Sequence, residues 1–367
     1  VNLLMISGDV SILDGKRGAL WYALQAFSKE WDRIDVICPH SQSARTMQTY
    51  FGNVYFHPSP RAPWYQSRWI MAQGLKLHGL FKHAVMTVQD SPPFSGSVGA
   101  LRLARKTGMP CVLEIHRIMG YPRAANLREY AGRHWSRMRL PQIVRKMHGT
   151  RTVSKTTAET LMRWGAPKTK IHVVPSFFLD RSVFENLGAP PPVQYDAVCC
   201  GTLLANRGVA DVLRAIATFK RARLLIIGDG PERPRLEHLA AALGIAHRVE
   251  FRGRISSPVD LFQAMRSARV FFSNAMGEDG QRMPIEAMAC GMPVIVRPVG
   301  ILRDVIVEGV NGLFTNGTPE DLTLKLQQLL DDQAMQERLG VEARGVLDRF
   351  ERERLVTMYA HFLRSFA

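Results

Sequence analysis

A repeating rhythm constrains this chain more than any other feature. Short apolar runs, each followed by a turn and a segment of helical period, recur at residues 3–6, 34–38, 85–88, 111–115 and 171–174. Runs that alternate in this way build βα units on a parallel sheet. The rhythm stops at residues 186–194, Asn-Leu-Gly-Ala-Pro-Pro-Pro-Val-Gln, where three consecutive prolines favour an extended connection. It resumes at 197–200, 224–227, 249–251, 270–272 and 293–296, and the stretch from 318 to 367 is helical in pattern. The reading is an α/β chain of two domains, 1–185 and 186–348, with 349–367 a last helix that packs back on the first domain. Open parallel sheets bind ligands at the carboxyl ends of their strands, so a crevice between the domains is the expected site.

Charge divides unevenly between the two halves. The whole chain carries a formal +16, but residues 1–185 hold 26 Lys/Arg against 11 Asp/Glu, and the remainder holds 22 against 21. An anionic partner is expected for the first domain. Among nucleic-acid signatures there is no zinc spacing, no RNA-binding aromatic motif and no helix-turn-helix pattern, so nucleic acid is not the expected anion. The five cysteines form no C-x-x-C pair and lie mostly in apolar runs, as buried thiols of a reducing compartment would. The first residues read as a strand and not as a leader, and no apolar run approaches the ~20 residues of a membrane span. The expected location is the cytoplasm, peripheral to the inner face of the membrane.

The most informative stretch runs from Glu278 through Glu286 to Val294. Pro284 suits the first turn of a helix, Gly291 its end, and Pro293 the start of a strand. Taken alone, Glu286 near that helix start need only complement the helix dipole, by ~0.3–1 kcal/mol. The full pattern, Glu, seven residues, Glu-Ala-Met-Ala-Cys-Gly-Met-Pro-Val, resembles the donor-site signature of family 4 glycosyltransferases. Supporting segments follow in order. Gly201-Thr-Leu-Leu-Ala-Asn-Arg207-Gly208 resembles the family's phosphate loop, Ile227-Gly-Asp-Gly-Pro its glycine turn, and Phe251-Arg-Gly-Arg-Ile-Ser its base-contacting loop.

The resemblance implies the GT-B fold, two Rossmann-like parallel-sheet domains facing each other across a cleft. It also implies roles. Glu286 would bond the nucleotide ribose, a task suited to a carboxylate facing a diol. Glu278 with Asp279, Gly280, Gln281 and Arg282 would hold the transferred sugar. Arg207, in the loop begun by Gly201 and Thr202, would neutralise the leaving diphosphate. Arg254 and Ile255 would meet the base. The chain departs from the family at Thr202, where a basic residue is usual, at the Glu-Asp-Gly-Gln run, and at Pro175-Ser-Phe-Phe-Leu-Asp180. Arg282 is the candidate to restore the charge lost at Thr202.

In the first domain, Asp14-Gly15-Lys16-Arg17-Gly18 leads into a helical segment. Glycines at a helix start let backbone N–H groups approach an anion, although an ordinary flexible connection would look the same. The resemblance places Gly15 and Gly18 over the donor phosphates and the acceptor, with Lys16 and Arg17 on the acceptor side. His116 follows an apolar run and matches the family's histidine that contacts the donor sugar; with Glu278 and Arg207 it completes the expected catalytic set. Residues 61–71 mix three aromatics, Trp64 and Trp69 among them, with Arg61 and Arg68. Residues 117–146, beginning at Arg117, hold eight Lys/Arg against Glu129 alone. Such mixtures suit an anionic membrane surface; a solvated basic face is the plain alternative.

The resemblance therefore implies a retaining hexosyltransferase that moves a sugar from a nucleotide-sugar donor to a lipid-linked or saccharide acceptor in bacterial polysaccharide or glycolipid assembly. No Asp-x-Asp triplet occurs, and this fold class needs no metal or other cofactor. The alternatives are a nucleotide-sugar epimerase and a non-catalytic nucleotide- or lipid-binding protein.

Overall fold

In the computed structural model, which describes residues 1–16, 18–60, 66–124, 126–176, 178–277 and 282–367, the apolar runs become strands of two separate sheets. Unit 1 comprises Val1–Met119, Ala131–Ser176 and Arg352–Ala367; unit 2 comprises Gly120–Tyr130 and Phe177–Glu351.

Unit 1 contains β1 (Asn2–Ile6), β2 (Arg33–Cys38), β3 (Gln48–Tyr50), β4 (Val54–Pro58), β5 (Val85–Gln89), β6 (Cys111–Ile115), β7 (Gly149–Thr152) and β8 (Ile171–Val173). Their order is β3-β4-β2-β1-β5-β6-β7-β8. Among the described residues of this unit, only the β3–β4 pair is antiparallel. The crossover helices are α1 (Ala19–Phe27), α2 (Gln66–Phe81), α3 (Ser95–Thr107), α4 (Leu127–Lys146) and α5 (Lys155–Arg163). Strands buried on both faces tolerate continuous apolar sequence, which is why β1, β2, β5 and β6 are legible as runs. Others lack that signal. β7 reads Gly-Thr-Arg-Thr and is wholly buried all the same, while β4 ends in His57-Pro58.

Unit 2 begins with α6 (Arg181–Glu185) and continues through β9 (Tyr195–Cys200), α7 (Val209–Ala217), β10 (Leu224–Ile227), α8 (Arg233–Ala242), β11 (Val249–Gly253), α9 (Pro258–Arg266), β12 (Ala268–Ser273), α10 (Arg282–Ala289), β13 (Val294–Val296), α11 (Leu302–Val305) and β14 (Leu313–Phe314). The sheet order is β11-β10-β9-β12-β13-β14, parallel throughout. Both sheets thus reverse their strand order once, beside β1 in unit 1 and beside β9 in unit 2. Helices α12 (Pro319–Asp331), α13 (Gln333–Ala343), α14 (Val346–Arg349) and α15 (Arg352–Arg364) account for the helical pattern after residue 318.

The chain leaves unit 1 at residue 176, earlier than the proline run, because α6 is bound to unit 2. Phe184 stacks on Phe262 with ring centroids 4.8 Å apart, and Arg181 Nη2 donates to Asp348 Oδ1 at 2.7 Å. The return falls at 351/352, a few residues after the expected 348/349, since Leu179 bridges Glu351 within unit 2. Residues 120–130 also belong to unit 2, where Arg123 Nη1 lies 2.9 Å from Met276 Sδ. Helix α15 joins unit 1: Tyr359 stacks on Phe27 at 4.9 Å, and Val356, Ala360 and Leu363 enter its apolar core.

Candidate functional site

At the carboxyl edge of the unit 2 sheet, the loops after β9 and β12 flank the reversal of strand order, the position where open α/β sheets form a binding crevice. The two loops are stitched together. Met276 N–H donates to Asn206 O at 2.9 Å, and Asn274 Nδ2 donates to Gly317 O at 3.1 Å and approaches Gly208 O at 3.4 Å. Gly208 has φ +66°, and a Cβ there would collide with the Asn274 carbonyl, so only glycine closes this loop. Gly208 also begins α7 without a side-chain cap. Half-buried Arg207 immediately precedes it, and Thr202 is exposed.

The glycine turn after β10 has a packing reason. A Cβ on Gly228 would strike the Gly201 carbonyl and one on Gly230 the Leu203 carbonyl, while Leu203 N–H donates to Asp229 O at 3.0 Å. Both glycines therefore shape the Gly201 loop from below. After β11, Arg254 is exposed and Ile255 half-buried.

Glu286 lies on α10 with 5% of its surface exposed. Arg282 Nε donates to its Oε1 at 2.6 Å. Burial pushes the Glu286 carboxyl above the ordinary carboxylate range, with Arg282 opposing. Arg282 is thus engaged with this carboxylate. The helix sits against the end of β9, where Cys200 Sγ and Met283 Sδ are 3.4 Å apart. Glu278, Asp279, Gly280 and Gln281 lie outside the described residues.

Sequence reasoning missed a cation here. Arg297 follows β13, its Nε donates to Asn274 Oδ1 at 2.8 Å, and its guanidinium packs on Gly317. Burial holds it below its ordinary range; nearby Asp211 opposes that shift and Arg123 adds to it. A lone arginine at a strand end gives no sequence signal.

In unit 1 the loop after β1 contains Gly15, with φ +74°, exposed Lys16, and Gly18, which begins α1 without a side-chain cap. Asp14 anchors this loop by accepting from Ser43 Oγ at 2.8 Å. His116 follows β6 and its side chain is 35% exposed. Its Nε2 lies 3.1 Å from Glu114 Oε2 and its Nδ1 3.4 Å from Gln89 Nε2.

The aromatic and basic stretches divide. Arg17 and Trp64 lie outside the described residues. Arg68 and Arg117 are exposed, but Trp69 is half-buried and its indole N–H donates to His57 O at 3.3 Å, so that its polar edge serves the fold. Helix α4 instead exposes Leu127, Tyr130, Trp135 and Met138 among Arg128, Arg137, Arg139 and Arg145. Cys38, Cys111 and Cys199 are buried, Cys200 and Cys290 partly so, and none is paired. Among the described residues, no group of three His, Cys, Asp or Glu side chains is arranged to hold a metal ion, and no helix is long and apolar enough to cross a membrane.

These features define a protein of two Rossmann-like units. Comparison with solved structures agrees: the chain superposes on sucrose-phosphate synthase from Thermosynechococcus elongatus with a TM-score of 0.81 at 17% identity, covering 99% of this chain and 98% of that one. It superposes on Anabaena HepE in complex with UDP with a TM-score of 0.76 at 17% identity, covering 100% of both chains. At such identities the likeness is one of fold, the GT-B architecture.

Two family models match in sequence, "Glycosyltransferase Family 4" over residues 19–178 and "Glycosyl transferases group 1" over residues 188–346. The chain belongs to glycosyltransferase family 4. Among curated relatives it is 34% identical over 156 residues to N-acetyl-alpha-D-glucosaminyl L-malate synthase of Bacillus anthracis, which is 41% of this chain and 40% of that protein. It is 30% identical over 238 residues to D-inositol 3-phosphate glycosyltransferase of Xylanimonas cellulosilytica, 57% of this chain and 55% of the relative. These matches span less than two thirds of either relative.

Proposed function

We propose that this chain transfers a sugar, with retention at the anomeric carbon, from a nucleotide-sugar donor to a lipid-linked or saccharide acceptor in bacterial polysaccharide or glycolipid assembly. The observation that carries the reading is the joined pair of loops after β9 and β12, which gathers Arg207, Arg297 and the uncapped start of α7 at one edge of unit 2. Negative charge grows on a leaving diphosphate in the transition state, and preorganised donors stabilise it best where water is scarce. An arginine can grip such a group bidentately, and Arg297 offers the second cation that Thr202 lacks.

Buried Glu286 would accept from the ribose diol, exchanging its Arg282 partner for two hydroxyls. Glu278 to Arg282 would hold the sugar, Arg254 and Ile255 the base, and His116 the sugar near its reacting carbon. Lys16, Arg17 and the Gly15–Gly18 loop would serve the acceptor. No metal is required by this scheme. Two relatives' printed names, which contain L-malate and D-inositol 3-phosphate, support a small polar hydroxyl compound as acceptor.

The test is a thermal-shift panel of UDP, GDP, ADP and their sugars. A ligand at 100 times its dissociation constant adds ~2.7 kcal/mol, so one nucleotide series is expected to raise Tm, and Glu286→Ala to abolish the rise. No shift with any nucleotide would overturn the reading in favour of a non-catalytic relative.

The basic, aromatic face of α4 supports docking on an anionic membrane surface at the cytoplasmic side. Flotation with vesicles of anionic lipid is expected to carry the chain at low salt and release it at high salt; a chain left wholly unbound at low salt removes the membrane from the scheme.

A further inference from the structure

β7 is the least strand-like sequence in the unit 1 sheet, yet its arginine lies inside the sheet, and the reason lies on the neighbouring strand. Register pairs Glu114 of β6 with Gln89 of β5 on one side and with Arg151 of β7 on the other. Side chains of paired residues share a face, and alternation by two adds Thr87 and His116 to it. Helix α15 covers that face. A Cβ on Gly149 would collide with the Phe366 ring, which explains the glycine that opens β7.

Glu114 is 4% exposed and its carboxylate takes four donors. Thr87 Oγ1 and Tyr359 OH bond to Oε1, while Arg151 Nη1 at 3.0 Å and His116 Nε2 at 3.1 Å bond to Oε2. Burial alone would raise this carboxyl, but the His116 bond and the Arg151 charge outweigh it and hold the group at about 2. Arg151 is fully engaged as well. Its Nε donates to Val174 O at 3.0 Å, its Nη2 to Pro175 O at 2.7 Å, and its guanidinium lies 3.6 Å from the centre of the Tyr359 ring.

An ionised carboxylate can only accept, so the hydrogen in the Glu114–His116 bond belongs to Nε2. In the neutral ring Nδ1 is then the lone-pair acceptor, with Gln89 Nε2 3.4 Å away. We propose that Glu114, Arg151 and Tyr359 are positioning residues for His116, fixing its tautomer so that it meets a sugar hydroxyl as a hydrogen-bond acceptor. The last helix of the chain is thereby part of the support of a residue more than 240 positions earlier.

This inference rests on the proposed reading for the part His116 takes in sugar transfer, and the test separates the two. In the full chain labelled with 15N-histidine, long-range 1H–15N correlation, assigned with His116→Gln, is expected to show a single Nε2–H tautomer. Glu114→Gln is expected to give mixed tautomers. It should also lower kcat about 10-fold with KM for donor changed less than about two-fold. The donor is whichever of UDP-glucose, GDP-mannose or ADP-glucose raises Tm most. Tyr359→Phe keeps the ring and removes one bond of the four, so its effects are intermediate; it carries the test should Glu114→Gln not fold. A folded variant with an unchanged tautomer overturns the positioning role. A shifted tautomer in a chain whose wild type neither binds nor turns over any of the three donors overturns sugar transfer and upholds the positioning.

Discussion

Unit 1 and unit 2 share a parallel strand order around one reversal, but they hold their shape by different means. In unit 2 the central strands are apolar, as in the buried Leu-Leu-Ile-Ile of β10, and the loops at their carboxyl ends are joined by close approach at glycine, which lets the Gly201 loop, the Gly228 turn and the Asn274 loop touch, and by the Asn274 amide, which bonds Gly317 O and Arg297 Nε. Unit 1 instead places charge inside its sheet. Asp35 on β2 is fully buried and accepts from Arg33 Nε at 2.7 Å, His57 Nε2 at 2.7 Å and His83 Nε2 at 2.8 Å, and Glu114 and Arg151 repeat the device two and three strands beyond β1. Buried charges satisfied from several sides contribute orientation more than net stability, and they cost heavily when a partner is lost. Close loop contacts at glycine shape unit 2, and charged networks inside the sheet shape unit 1.

All six tryptophans precede residue 165, so indole emission follows unit 1 while far-UV dichroism follows both units. The largest expected effect is that of Asp35→Ala, which strands Arg33 and two histidines and should lower the urea stability of unit 1 by about 3–5 kcal/mol. An emission midpoint that stays in place would break the contrast. Gly228→Ala, which puts a Cβ into the Gly201 carbonyl at φ +135°, should cost about 2–4 kcal/mol. That loss should be seen by dichroism as an earlier phase with the emission transition unmoved.

The smallest effect is a difference in acid response. Asp35 and Glu114 are held below the ordinary carboxylate range, so the stability they contribute is complete above it and is lost as pH falls through it. Glu286, raised by burial, has the opposite sign, its contribution being present at low pH and lost as pH rises through its raised value. Between about pH 5 and 2 the emission midpoint in urea should therefore drop more than the unit 2 phase of the dichroism.

Hydrophobic runs revealed the strands buried on both faces, and Pro284 and Gly291 marked out the helix that carries Glu286, because these signals are local in sequence. What stayed hidden is non-local. β7 owes its burial to Glu114, 37 residues earlier, and Arg297 owes its place to Asn274. β14, two residues long, carries too little pattern to read. The proline run marks an extended connection, but the crossing between units precedes it because Phe184 and Arg181 find their partners in unit 2. Trp69 looks like an interfacial residue until His57 O is seen to hold its N–H.

The return of α15 to unit 1 also bears on synthesis. As the chain leaves the ribosome, every strand and helix of unit 2 is made before residue 352, whereas the sheet of unit 1 still lacks Tyr359 over Glu114, Phe366 over Gly149, and the apolar side chains of Val356, Ala360 and Leu363. Within these residues the domain translated first is the one completed last, one face of its sheet staying uncovered until α15 is made.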